Sequence, residues 1–270
     1  FNGADPIGRA ESERFVNIAT RSRTGTTTDQ LIAGFVISGD QPKAVLVRAV
    51  GPSLSAFGVG GVLSAVRIEI FQDGQRIAEG GDWGAGTNAA TIADTATRVG
   101  AFALPTGSRD AALLLTLNPG AYSAVVSGQG GASGVGLVEV YDATSGPIPS
   151  GQRIINLSTR AIAGSGDNTL IAGFVISGTV PKRVLIRGVG PALTQFGVTE
   201  ALARPQLAIQ SGSQTLVENS GWSTSADAAA IAASSAQVGA FPLGATSLDA
   251  AVIVNLAPGA YTAQVSGAGG

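Results

Sequence analysis

The chain has 270 residues, 44% of them hydrophobic and only 13% charged, with a net charge of −2. An ordinary soluble domain carries about 25% charged residues, so this surface is built largely from Ser, Thr, Gly, Ala, Asn and Gln and suits extensive contact between copies. The balance gives no electrostatic footprint for nucleic acid or an anionic membrane. There is no Cys, Met or His. That removes the usual zinc, copper and haem ligand sets, the commonest general base and the Ser-His and Cys-His nucleophile pairs. No catalytic residue, metal or cofactor is therefore expected. No apolar run approaches the roughly 20 residues of a membrane-spanning helix, so membrane insertion is not expected. No charged-then-apolar leader opens the chain, and Phe1 reads as a mature N-terminus or the start of a fragment.

Residues 1–13 read as an N-terminal extension interrupted by Gly3, Pro6 and Gly8. Strands are then predicted over 15–20, 31–38, 43–50, 66–72, 75–79, 110–117, 121–127 and 135–141, because these runs are short, rich in Val, Ile and Leu, and bounded by Gly, Pro, Asp or Asn. Val66-Arg67-Ile68-Glu69-Ile70 alternates apolar and charged residues, as a half-buried strand does. Asp73-Gly74 predicts a hairpin turn, and Asn118-Pro119-Gly120 a tight turn between two further strands. The Ala-rich run 88–99 places Ile92, Ala96 and Val99 at helical spacing and predicts one short helix. A linker over 143–152 carries two prolines and is fairly stiff.

From Arg153 the pattern starts again. Residues 14–21 return at 153–160, LIAGFVISG at 31–39 returns at 170–178, Trp83 returns as Trp222, and PGAY at 119–122 returns at 258–261. The offset is a gapless 139 residues, and it carries the helix prediction to 227–238. The expected fold is all-β: two tandem β-sandwich domains of jelly-roll or immunoglobulin-like type, each with one short helix. Repeat 1 spans 14–142 and repeat 2 spans 153–270. Repeat 2 reaches Gly270, the counterpart of Gly131, before any counterpart of GVGLVEVYD at 134–142.

The pattern LIAGFVISG…PKxVLxRxxGPxL…GW…LxPGAYxAxVSGxGG…GVGLVEVYD resembles repeat modules of large secreted and surface proteins of environmental bacteria. More distantly it is similar to pre-peptidase C-terminal type β-sandwich domains, through the hairpins 119–128 and 258–267 and the strand 134–142. The resemblance implies an extracellular or cell-surface location and an accessory or structural role.

Several positions invite a functional reading beside a structural one. Trp83 and Trp222, the only tryptophans, either contact a glycan or plug a loop onto the core. Lys43 and Lys182, the only lysines, either cross-link to Asn17 and Asn156 with help from Asp110 and Asp249 or are solvated strand starts. Thr28-Asp29 and Asp167-Asn168 read as turns rather than calcium loops. Arg48 and Arg187 recur in apolar strands, on a solvent face or at an interface. Glu69 and Glu79 on neighbouring strands form a carboxylate pair of the type used by glycosidases, but Glu69 becomes Ala208 in the second copy.

The segment with Val135, Leu137, Val138, Val140 and Tyr141 is the candidate assembly strand. Burying a large apolar side chain contributes roughly 1.5–3 kcal/mol, so a sandwich without three such residues forgoes about 5 kcal/mol, comparable to a domain's net stability. The chain then continues beyond this piece, or a neighbour donates a strand, with Phe15–Thr20 as a candidate donor, or residues 135–141 serve the second sandwich. The function expected is a non-catalytic structural repeat of an extracellular filament or surface assembly, its copies joined head-to-tail by donor-strand complementation. The alternative is a polysaccharide-binding module or an accessory array of a larger secreted enzyme.

Overall fold

The computed structural model describes residues 14–25, 29–146, 151–164 and 166–267. The N-terminal extension 1–13, Thr28, residues 147–150 of the linker and Gly270 lie outside the described residues. The first copy contributes β1 (Arg14–Thr24), β2 (Leu31–Ser38), β3 (Lys43–Val50), β4 (Val66–Gln72), β5 (Gln75–Gly80), helix α1 (Ala89–Arg98), β6 (Ala111–Leu117), β7 (Gly120–Gly128) and β8 (Gly134–Asp142). The second contributes β9 (Arg153–Arg160), β10 (Leu170–Ser177), β11 (Lys182–Gly188), β12 (Pro205–Ser211), β13 (Gln214–Asn219), helix α2 (Ala228–Gln237), β14 (Ala250–Leu256) and β15 (Gly259–Gly267). The fold is all-β, and the strands expected from composition and turn residues form within a few residues of their predicted bounds.

Local chemistry explains the turns. Asp73 and Gly74 both hold positive φ, 50° and 76°, as a two-residue hairpin between twisted strands requires. The turns from β6 to β7 and from β14 to β15 each cross from one sheet to another, and each is tied by a tyrosine. The Tyr122 hydroxyl donates to the Asn118 carbonyl at 2.8 Å and the Tyr261 hydroxyl to the Ala257 carbonyl at 2.7 Å. Their rings stack on Phe35 and Phe174. A buried aspartate holds the short 3-10 turn after β3 and after β11. Asp110 accepts from the Gly51 amide at 2.8 Å and from the Ser53 hydroxyl. Asp249 accepts from the Gly190 amide at 2.7 Å. Ala192 replaces Ser53 in the second copy, and there the Ser247 hydroxyl bonds Asp249 instead.

The sheets run across the boundary between copies. One sheet has the order β13-β12-β15-β10-β1-β8-β3-β6, a second β5-β4-β7-β2-β9, and a third only β11-β14. The first strand of each copy therefore lies against the second strand of the other copy. Thr20 of β1 faces Ala172 of β10, and Thr159 of β9 faces Ala33 of β2. The register is the same in both pairings, and so is the bulge, which falls between Phe15 and Asn17 on one side and beside Ile154 and Asn156 on the other. Where the exchanged strands pass, the Thr20 and Thr159 hydroxyls meet at 2.8 Å. Equivalent atoms in contact mark a two-fold relation between the copies, as in an isologous dimer. Residues 17–20 of this segment are thus paired on both sides within the chain, by β8 and β10. The expectation that Phe15–Thr20 serves as a donor to a neighbour is at odds with this pairing, since from Asn17 on both backbone edges are satisfied.

Each sandwich has its own core. In the first, Leu31, Phe35 and Ile37 of β2, Ile68 and Ile70 of β4 and Val126 of β7 pack on Ile18, Val45, Val47, Val138 and Val140. In the second, Phe174, Ile176, Leu207 and Ile209 pack on Val184, Val252 and Leu256, with Phe15 of β1 against them. The helices form an outer layer. Ile92 and Ala96 of α1 cover Leu46, Ala112 and Tyr141, and Ile231 of α2 covers Ala251 and Trp222.

The exchanged arrangement predicts a cross-link. In the variant Thr20→Cys/Thr159→Cys the two thiols lie within reach of a disulfide. Mild oxidation should close it inside monomeric chains and raise stability by about 2–4 kcal/mol, read as thiol loss and a compact band on non-reducing electrophoresis. Only intermolecular disulfides, or none, would contradict the exchange.

Candidate functional site

The two-fold relation turns the three sheets into two versions of one. Read in the order β13-β12-β15-β10-β1-β8-β3-β6, the eight-stranded sheet has the counterparts β5-β4-β7-β2-β9, then no strand among the described residues, then β11-β14. The place without a strand is the counterpart of β8 and lies between β9 and β11. Among the described residues, β9 pairs only with β2 and β11 only with β14.

β8 shows what that place receives in the first copy. It pairs antiparallel with β1 on one edge and β3 on the other. Val135–Tyr141 thus belongs to the first sandwich, and the expectation that it serves the second is not met. Val138 and Val140 point into the sandwich core, and Tyr141 points outward under α1. Val135 and Leu137 are half-buried. Gly134 is needed because a Cβ there would lie 2.7 Å from the Gly61 carbonyl oxygen and 2.8 Å from the Leu63 nitrogen.

β8 also carries two carboxylates whose partners are fully buried. Glu139 pairs with Arg48 at 2.8 Å, and Asp142 pairs with Lys43 at 2.9 Å. Arg48 and Lys43 both have 0% exposure. The Arg48 guanidinium also donates to the Phe102 carbonyl at 2.6 Å and lies over the Phe102 ring. Burial pushes the Glu139 carboxyl above the usual carboxylate range, while Arg48 and the Tyr141 hydroxyl pull it back. The recurrent arginine thus sits neither on a solvent face nor on an external interface in the first copy. It anchors β8. Lys43 reaches Asp142 and the Thr144 hydroxyl, at 3.2 Å, so its pairing is with an aspartate rather than with Asn17.

In the second copy the same side chains are uncovered. Leu185, Ile186, Lys182 and Arg187 are half-buried where Leu46, Val47, Lys43 and Arg48 are buried, and Ile155 of β9 is 47% exposed. Arg187 keeps its bond to the Phe241 carbonyl at 2.8 Å and its place over the Phe241 ring. No carboxylate among the described residues forms an ion pair with it. Burial holds its guanidinium below the ordinary value, with Asp249 acting in the other direction. Lys182 lies 5.9 Å from the centre of the Phe15 ring.

The remaining candidates have structural placements. Trp222 is 7% exposed and donates to the Gly244 carbonyl at 3.2 Å. Its ring packs with Ile231 and Ala251, which leaves no free face for a sugar. Trp83 is half-buried against the α1 cluster and donates to the Pro105 carbonyl and the Ser108 hydroxyl. Glu69 and Glu79 stand opposite each other on β4 and β5. Arg76 bridges them at 2.6 and 2.9 Å, and Arg67 joins the same group. Among the described residues, no group of three or more acidic side chains is placed to hold a metal ion. No helix among them is long and apolar enough to cross a membrane. No protein-family model matches this chain, and no curated protein matches it.

The two arginines should respond differently to substitution. Arg48→Met strands Glu139 in the interior and should cost about 3–5 kcal/mol, whereas Arg48→Met/Glu139→Leu should recover most of that. Arg187→Met should cost about 1 kcal/mol, the scale of one hydrogen bond. The Arg48→Met loss should shrink as pH falls. A buried carboxyl with a raised folded-state pKa destabilises the fold above that pKa, and protonation relieves it below. Urea unfolding of the variants at neutral and mildly acidic pH measures both effects.

Proposed function

We propose that this chain is a non-catalytic structural module of an extracellular or cell-surface assembly, completed by a strand from its neighbour. The observation behind the reading is the strand position between β9 and β11, flanked by two edges that pair on one side only among the described residues. Such edges are templates for an incoming strand, and strand addition is an established mode of joining polypeptides. The contact is heterologous, so it propagates head-to-tail unless the rotation closes.

The composition supports the same reading. A surface with 13% charge suits close contact, and the likeness to repeat modules of secreted bacterial proteins favours an exterior location. For the non-catalytic part, support comes from the absence of His and Cys and from the carboxylates Glu69 and Glu79 being engaged by Arg67 and Arg76. Antibodies raised against the 270-residue chain should decorate filaments or a regular layer outside the producing cell in immuno-electron microscopy. Labelling confined to the cell interior, or to dispersed single particles, would overturn the reading.

A further inference from the structure

Lys43 and Asp142 meet where the last residue of β8 passes the first residue of β3. Lys43 Nζ lies 2.9 Å from Asp142 Oδ2, and the two side chains are 0% and 3% exposed. Further contacts fix the pair. The Thr144 amide donates to Asp142 Oδ1 at 3.1 Å, and Lys43 Nζ donates to the Thr144 hydroxyl at 3.2 Å. The Ala143 amide donates to the Ala44 carbonyl at 3.0 Å, which holds 142–144 alongside 43–45. Asp142 Oδ2 is buried and accepts no hydrogen bond among the described residues. Arg14 Nε stands 3.7 Å from it. An amine and a carboxyl are thus held against each other away from water, with one carboxyl oxygen engaged by a backbone amide and the other facing the amine.

We propose that Lys43 and Asp142 join in an amide bond, a side-chain cross-link between β3 and β8 that the folded chain forms on its own. The Lys43 nitrogen attacks Asp142 Cγ, so that the Nζ–Cγ bond forms and the Cγ–Oδ2 bond breaks. Two of the three ammonium protons leave with Oδ2 as water. The third stays on the amide nitrogen and keeps its bond to the Thr144 hydroxyl. Oδ1 becomes the amide carbonyl oxygen. The Thr144 N–H donates to it throughout and stabilises the negative charge that it carries during the addition. Charge and atoms balance without another reactant. In water, solvation of the two ions favours the separate groups. A buried pair has already lost most of that solvation, and its fixed geometry replaces a chance encounter. One neutral amide then stands where two charges were buried. The bond has a mechanical consequence as well. β8 leads directly into the linker 143–152, so a pull on the linker reaches the first sandwich at Asp142, and the amide passes it to β3. The inference concerns the first copy alone and holds whether or not the chain assembles.

The test is the mass of the purified 270-residue chain under denaturing conditions. It should be lower than the sequence mass by one water. Trypsin should release residues 24–48 and 110–153 as one branched peptide, uncut after Lys43. Fragmentation of that peptide should place the bond between Lys43 and Asp142. The variant Lys43→Arg keeps the positive charge but has no primary amine, and Asp142→Ala has no carboxyl. Each should show its full sequence mass, and Asp142→Ala should be cut after Lys43. If neither variant folds, the mass and the branched peptide of the unmodified chain still decide. A chain of full sequence mass that is cut after Lys43 overturns the proposal. So does loss of one water in Lys43→Arg as well, because the dehydrated group then lies elsewhere.

Discussion

A strand buried in a sheet has two backbone edges and two faces, and all four must be satisfied. β8 is where this constraint is met most completely. Its edges pair with β1 and β3, Val138 and Val140 fill the core, Tyr141 lies beneath α1, and its carboxylates neutralise Arg48 and Lys43. Those two cations are tolerable at 0% exposure only because β8 delivers anions to them. The first sandwich is therefore organised around one segment that supplies hydrogen bonds, apolar area and counter-charge together. The second sandwich repeats every flanking element but has no strand among the described residues in that place. Its half-buried Leu185, Ile186 and Arg187 are the direct consequence.

The exchange of β1 and β9 explains why the two copies nonetheless hold together. Each copy lays its first strand on the second strand of the other, so the interface is made from backbone ladders rather than from surface patches. Further bonds pin the start of β9 to the first copy. The Ser38 hydroxyl donates to the Gly151 carbonyl at 3.0 Å, and the Gln152 amide donates to the Pro42 carbonyl at 2.6 Å. A two-fold interface of this kind is closed and adds no further copies. The edges of β9 and β11 are different: among the described residues β9 pairs only with β2 and β11 only with β14.

Much of this fold is legible in the sequence, and the reasons are local. The strands 31–38, 43–50 and 66–72 announce themselves by β-branched composition and by turn residues at their ends, and the helix by its alanines and the spacing of Ile92 and Ala96. The gapless offset also locates where a counterpart of β8 is due. What the sequence does not disclose is non-local. LIAGFVIS and RFVNIATR are equally good neighbours for strands of either copy, because the copies share the residues that set the register. Nothing in the string distinguishes an exchanged pairing from an unexchanged one. Thr20 and Thr159 become informative only as a contact. Arg48 is similar: an arginine between Val47 and Ala49 reads equally as exposed or buried until Glu139 is found opposite it.

Charge placement distinguishes the two copies at this strand position. An apolar slot between two strands accepts many sequences, since backbone pairing is blind to side chains and a mismatched methyl group forfeits little. A guanidinium fixed against Phe241 changes that balance. Covering it without a carboxylate removes its solvent and supplies no counter-charge, a cost of several kcal/mol in a buried setting. Covering it with a correctly placed glutamate converts the same desolvation into a pair like Arg48–Glu139. The first copy shows that the geometry for that pair exists within this fold, at 2.8 Å. Arg48 and Arg187 thus show one cation with and without its carboxylate among the described residues.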